Sequence, residues 1–131
     1  MLQKLDSLLF YVTDAKRTVA FYRTLGFEVR KDDKGHGIVR LGDFWLHFHD
    51  KDEEGNPEFR EEAQAEPKGS GLYIYVGVKD INGYYKMLLE KGIKTSSEPR
   101  DWPWGNREFA LRDPDGYKLV FYEELKKPAL S

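Results

Sequence analysis

The chain has 131 residues, 40% of them hydrophobic and 34% charged, with a formal net charge of −2. That length suits one domain or two small intertwined modules, and the charge balance argues for neither nucleic acid nor an anionic membrane as a partner. Cysteine is absent, which excludes disulfides, thiolate metal sites and cysteine nucleophiles and suits a cytoplasmic location. No apolar run approaches the ~20 residues of a membrane span, and the opening MLQKLDSLLFYV lacks the pattern of a signal peptide. Aromatic residues make up 15% of the chain, as eight Phe, eight Tyr and three Trp. So many rings need a core, an interface or a ligand site.

In chain order, Leu5 to Val12 reads as a strand. Thr13-Asp14 then signals a helix N-terminus, and a helix is predicted to Leu25 with Phe21, Val19, Tyr22 and Leu25 as its apolar stripe. Gly26 sits where a left-handed cap is expected. Phe27 to Lys31 predicts a short strand and Asp32 to Gly35 a turn, with His36 read as an exposed turn residue. His36 to Leu41 and Phe44 to His49 predict a hairpin about Gly42-Asp43. The order is βαβββ, over residues 1–50.

Residues 51–70 are charged and rich in Gly, Pro and Ser. They read as a solvated linker, with one helical turn near Glu58 to Ala65 and Phe59 as the residue that pins it. From 71 to 125 the pattern repeats. Leu72 to Val78 predicts a strand and Asp80 a cap. A helix to about Lys91 carries Ile81, Tyr84, Tyr85, Leu88 and Leu89 at helical spacing. Gly92 caps it and Ile93 opens the next strand. Val12 matches Val78, Asp14 matches Asp80, Gly26 matches Gly92 and Phe27 matches Ile93, all at one offset. This is a duplicated module; residues 126–131 are a tail.

The chain closes on PWGNREFALRDPDGYKLVFY, Pro103 to Tyr122. Asp113-Pro114-Asp115-Gly116 has turn chemistry at each position, between two strands of period two. Along all the strands one face is almost purely apolar and is assigned to the helices. The opposite face carries Ser7, Tyr11, Ile38, Arg40, Trp45, His47, His49, Tyr73, Tyr75, Glu108, Arg112, Val120 and Tyr122. That set is too aromatic for a plain solvent face and too polar for a core. Two such faces would wrap into a cup of the kind that holds small ligands.

A duplicated βαβββ module, LGFEV after the first helix and WG-x-REFALRDPDG near the end resemble the vicinal oxygen chelate superfamily of glyoxalases, dioxygenases and bleomycin resistance proteins, with bleomycin resistance proteins the most similar. The resemblance implies an α+β fold in which two βαβββ modules form a cupped mixed sheet. Its enzymes hold a divalent metal on His, Gln or Glu at four strand positions. Carried over, those positions are Ser7, His47, Tyr73 and Val120. Only His47 is a good ligand, so neither metal nor any other cofactor is expected, and no catalytic residue is assigned. A rearranged metal site on His47, His49 and Glu108 remains the alternative, which would make a glyoxalase- or dioxygenase-like enzyme.

The resemblance to bleomycin resistance proteins implies a homodimer that sequesters a planar, cationic, drug-like aromatic molecule without altering it. The expected ligand-binding residues are Trp45, Tyr73, Tyr75 and Trp102 for stacking, with Glu108, Arg112, Arg40 and His47 for orientation. Trp104 is read as structural. A protein whose aromatic faces serve only as a dimer interface is the third possibility.

Overall fold

The computed structural model describes residues 1–125; the tail from 126 to 131 lies outside them. The chain divides into two compact units, one ending at Lys68 and the other starting at Gly69. Among the described residues, no helix is long and apolar enough to cross a membrane.

The first unit runs β1 (Ser7–Val12), α1 (Ala15–Leu25), β2 (Glu28–Asp33), β3 (His36–Leu41), β4 (Phe44–Asp50) and α2 (Pro57–Gln64). Its sheet has the order β1-β4-β3-β2. β1 lies parallel to β4, with Ser7 opposite Trp45 and Val12 opposite Asp50. A parallel neighbour cannot be reached by a tight turn, so α1 and the two hairpins that follow supply the crossover. Asp14 caps α1 by accepting from the backbone N–H groups of Lys16 and Arg17. Asp50, at the end of β4, accepts from the Ala15 N–H at 2.6 Å and ties the sheet to the helix start. These bonds satisfy donors that a helix N-terminus otherwise leaves open. Gly26 ends the helix at φ 111°.

The buried stripe of α1 is Ala15, Thr18, Val19, Tyr22 and Leu25. Phe21 is only half-buried. Thr18 enters the interior because its hydroxyl donates to the Asp14 carbonyl at 3.1 Å. Tyr22 packs its ring 4.8 Å from Phe48 and 5.2 Å from Phe27. A Cβ on Gly37 would fall 2.3 Å from Val19 Cγ2, so β3 and α1 meet where only glycine fits.

The charged stretch after β4 folds as a 3-10 turn at Lys51–Glu53 and then α2. Asn56 caps α2 through its side chain and Pro57 takes the first helical position. The residue that anchors α2 is Ala63, fully buried, and not Phe59, which is 44% exposed. Lys68 is also buried; its Nζ donates to the carbonyls of Ala63 and Ala65 at the helix end. A cation there complements the helix dipole and fills orphan acceptors.

The second unit runs β5 (Tyr73–Gly77), α3 (Ile81–Glu90), β6 (Arg100–Asp101), β7 (Asn106–Arg112) and β8 (Lys118–Glu124). The order β5-β8-β7-β6 repeats that of the first sheet strand for strand. The helix locks repeat as well. Asp80 accepts from Gly83 N–H, and Glu123 on β8 accepts from Ile81 N–H at 3.1 Å, as Asp50 does for Ala15. In the hairpin turn, Asp113 Oδ1 accepts from the N–H groups of Asp115 and Tyr117, and Gly116 N–H closes back on the Asp113 carbonyl.

Two expectations for this unit are corrected. Leu89 lies exposed, and the stripe of α3 is buried at Ile81 and Leu88. No strand opens at Ile93; β6 is two residues long and begins at Arg100. The reason lies in the loop. Ser96 N–H donates to the Ala110 carbonyl at 2.7 Å, and Ser97 Oγ accepts from Ala110 N–H at 3.0 Å. The serines satisfy the groups of β7 that a longer strand would have paired.

Candidate functional site

The open face of the second sheet is set by register. Tyr73 lies opposite Lys118 and Tyr75 opposite Val120. Val120 lies opposite Ala110, and Glu108 is opposite Tyr122. Small apolar side chains thus form a floor, with tyrosines along the β5 side. The other wall comes from the Trp102-Pro103-Trp104-Gly105 turn between β6 and β7. Trp102 N–H donates to the Asn106 carbonyl and Gly105 N–H to the Trp102 carbonyl, with Gly105 at φ 93°. Pro103 sets the second position of that turn, and its glycine takes a backbone conformation other residues avoid. The result is a cleft of about 380 Å³ lined by Tyr73, Tyr75, Ser96, Ser97, Trp102, Trp104, Glu108, Phe109, Ala110, Lys118 and Val120.

The two indoles stack with centroids 4.7 Å apart and planes 12° from parallel. The Arg100 guanidinium lies 3.7 Å from the Trp102 ring centroid. Groups this close cannot share one face, so Trp102 is covered on both sides. Trp104 is 59% exposed. Its Nε1–H donates to Glu108 Oε2 at 2.8 Å, and Asn106 Nδ2 donates to the same oxygen at 3.2 Å. Glu108 is only 5% exposed. A buried carboxylate therefore orients an exposed indole. Trp104 thus has an exposed face at the cleft, and Trp102 lies between it and Arg100.

At the far side, Lys118 Nζ lies 4.2 Å from the Tyr73 ring centroid. Burial, then the nearby Glu108 and Tyr73, push the Tyr75 hydroxyl above the usual tyrosine range. Of the residues expected to bind, the structure brings together Tyr73, Tyr75, Trp102 and Glu108. Arg112 does not line the cleft; its Nη1 donates to the Gly116 carbonyl and braces the hairpin turn. Arg40 does the same in the first unit, donating to the Gly42 carbonyl. A long cation next to a tight turn finds a carbonyl acceptor close by, which sequence spacing alone does not reveal. Lys118, Trp104, Phe109, Ala110 and the two serines also line the cleft and were not expected to. Lys118 and Ala110 carried a signal, through their period-two spacing from Val120 and Glu108.

Trp45 and His47 lie on the open face of the first sheet. Arg30 and Arg40 each place a guanidinium 5.4 Å from the Trp45 centroid. His36 is no exposed turn residue. It is half-buried, opposite His49 in the register, with its ring stacked on His47 at 5.7 Å and tilted against His49 at 6.0 Å. Lys31 Nζ lies 3.1 Å from its Nδ1. Tyr11 packs on His49 and donates to Glu54 at 2.7 Å; burial and then Glu54 push its hydroxyl up to about 12.

Burial, then Lys31, His47 and His49, lower the His36 pKa, against a weaker pull from Asp33. The folded state therefore prefers neutral His36. Its contribution to stability is present above the unfolded value of about 6.5 and is lost as pH falls through the lower folded value. Thermal unfolding followed from pH 8 to pH 5 should show stability falling below about pH 6.5, with a flatter profile in His36→Gln.

The donor set at the four carried-over positions does not fit the metal that the resembling enzymes hold. Ser7 is an exposed hydroxyl, Tyr73 an exposed phenol beside an ammonium, and Val120 a buried hydrocarbon on the cleft floor. Only His47 offers a strong ligand. His47 and His49 lie in the first unit and Glu108 in the second. Among the described residues, no group of three or more His, Cys, Asp or Glu is placed to hold a metal ion. A second hollow, of about 540 Å³, is lined by Thr13, Asp14, Lys16, Lys34, Gly35 and Asp50. It contains no ring, and Asp14 and Asp50 already occupy backbone donors at the start of α1.

Known proteins share this architecture. A bleomycin resistance protein of Geobacillus stearothermophilus is 25% identical over 96% of this chain and 99% of its own. A glyoxalase/bleomycin resistance protein/dioxygenase from Nocardioides superposes with a TM-score of 0.76 at 23% identity, covering 98% of this chain and 87% of that one. TnmS3, an antibiotic binding protein from Streptomyces sp. CB03234, superposes with a TM-score of 0.71 at 24% identity, covering 94% of this chain and 97% of that one. The family model of the Glyoxalase/Bleomycin resistance protein/Dioxygenase superfamily matches residues 4–121. Matched along nearly its whole length and built from the same repeated module, the chain belongs to that superfamily.

Proposed function

We propose that this protein binds and sequesters a planar aromatic small molecule, as a bleomycin-resistance-like protein, without a metal and without transforming its ligand. The observation that carries the reading is Trp104: an exposed indole, held in one orientation by the buried Glu108 and backed by Trp102, at a cleft with an apolar floor. Orienting a large ring in advance lowers the entropic cost of stacking on it. Stacking contributes about 0.5–1.5 kcal/mol beyond area burial. The curated relative at 25% identity, named a bleomycin resistance protein, supports a drug of that class. Two copies pair in this reading, which sedimentation at micromolar concentration tests.

The test of function is thermal shift with bleomycin, zinc, nickel, manganese and iron(II) in parallel. A ligand that binds only the folded state stabilises it by about 2.7 kcal/mol at a hundredfold excess over its dissociation constant. Bleomycin should raise the melting temperature and the metals should not. A metal shift that disappears in His47→Ala would overturn the metal-free reading. No shift with millimolar bleomycin would overturn the drug assignment.

A further inference from the structure

The cleft holds two opposite charges that do not meet. Glu108 accepts only from two neutral donors, Trp104 Nε1–H and Asn106 Nδ2, both through Oε2. Its other oxygen has no partner among the described residues, although the residue is 5% exposed. Lys118 lies over Tyr73 and makes no ion pair among the described residues. The register explains why. Glu108 lies opposite Tyr122 and Arg112 opposite Lys118, four residues apart on either strand. At ~3.3 Å per residue that is roughly 13 Å along the sheet. Between them the floor is Ala110 and Val120, and both residues are buried. The walls are Tyr73 and Tyr75 on one side and the tryptophan pair on the other.

Polar groups set in an apolar slot are poorly solvated, and complementary groups on a ligand recover that loss. We infer that the cleft selects an elongated, planar, dipolar molecule. Its cationic or N–H donor end meets Glu108 beside Trp104, and its anionic or acceptor end meets Lys118 beside Tyr73. This rests on the reading of the cleft as an aromatic-ligand site and specifies the class of ligand. A molecule with one charged end would satisfy half of the site, and one charged alike at both ends would meet repulsion at one of them.

The test uses the full chain and rigid biphenyl probes, with binding read by calorimetry. One probe carries an amidinium at one end and a carboxylate at the other. The others are the amidinium alone, the carboxylate alone, the bis-amidinium and unsubstituted biphenyl. The dipolar probe should bind at least about tenfold more tightly than either singly charged one. Glu108→Gln, which keeps an acceptor for Trp104, should weaken the amidinium probes about tenfold and leave the carboxylate probe nearly unchanged. Lys118→Met should do the reverse. If all probes bind alike and Trp104→Ala still abolishes binding, the dipolar selectivity is overturned and the aromatic site stands. If no probe binds at millimolar concentration, both fall.

Discussion

Glu108→Ala is expected to weaken binding of a planar aromatic ligand by tenfold or more while costing only about 1 kcal/mol of stability. The carboxylate is the acceptor for Trp104 Nε1–H at 2.8 Å. Without it the indole keeps its stack on Trp102 but loses the bond that fixes its rotation in the plane of the cleft. Trp104 is 59% exposed, so water can take over its N–H and folding suffers little. Binding suffers more, because an indole free to turn must be ordered by the ligand, at about 0.5–1.5 kcal/mol per immobilised side chain, and the ligand loses its acceptor as well. Circular dichroism should show a changed tryptophan signal as the indole turns on its stack, and titration should show the weaker affinity. Unchanged affinity with a changed tryptophan signal would mean that Trp104 orientation is irrelevant to binding.

Phe109→Ala is expected to have the largest effect on stability, about 3–5 kcal/mol. Phe109 is 1% exposed on the face of the second sheet that meets α3. Its ring stacks 5.2 Å from Phe121 and lies 5.1 Å from Tyr85 and 6.2 Å from Tyr84. Removing it opens a cavity where rigid rings meet, and such rings collapse poorly into a void. Against a typical total of about 5–15 kcal/mol, the urea midpoint should fall by about a fifth or more. A loss below about 1 kcal/mol would show that this ring cluster is not the core of the unit. The change also tests the cleft indirectly, since Phe109 touches it from below.

Much of this was legible in the sequence, for identifiable reasons. Asp14 and Asp80 announced helix starts through their chemistry, and Gly26 and Gly92 announced helix ends through their backbone freedom. The repeat and the Asp113 turn followed from spacing. What escaped depended on side chains doing work usually given to backbone, or on register. Ser96 and Ser97 replace a strand that Ile93 was expected to open. His36 sits between two glycines and looks like a turn, yet cross-strand pairing places it against His49. Arg40 and Arg112 lie on the open strand faces but turn back to carbonyls. The stacking roles of Trp102 and Trp104 depended on Arg100, whose guanidinium no pattern of apolar residues could place.

The central claim is that an aromatic ligand is held in the cleft of the second unit, on Trp104. Three tryptophans, Trp45, Trp102 and Trp104, give three indole N–H signals in a proton–nitrogen correlation spectrum. The measurement is to titrate bleomycin into the labelled protein and follow those signals. The Trp104 signal should move most, because its N–H is bonded to Glu108 at the cleft and its ring is the exposed surface, with Trp102 shifting less. A saturating titration that leaves Trp104 in place while Trp45 shifts would contradict the claim and move the site to the first unit.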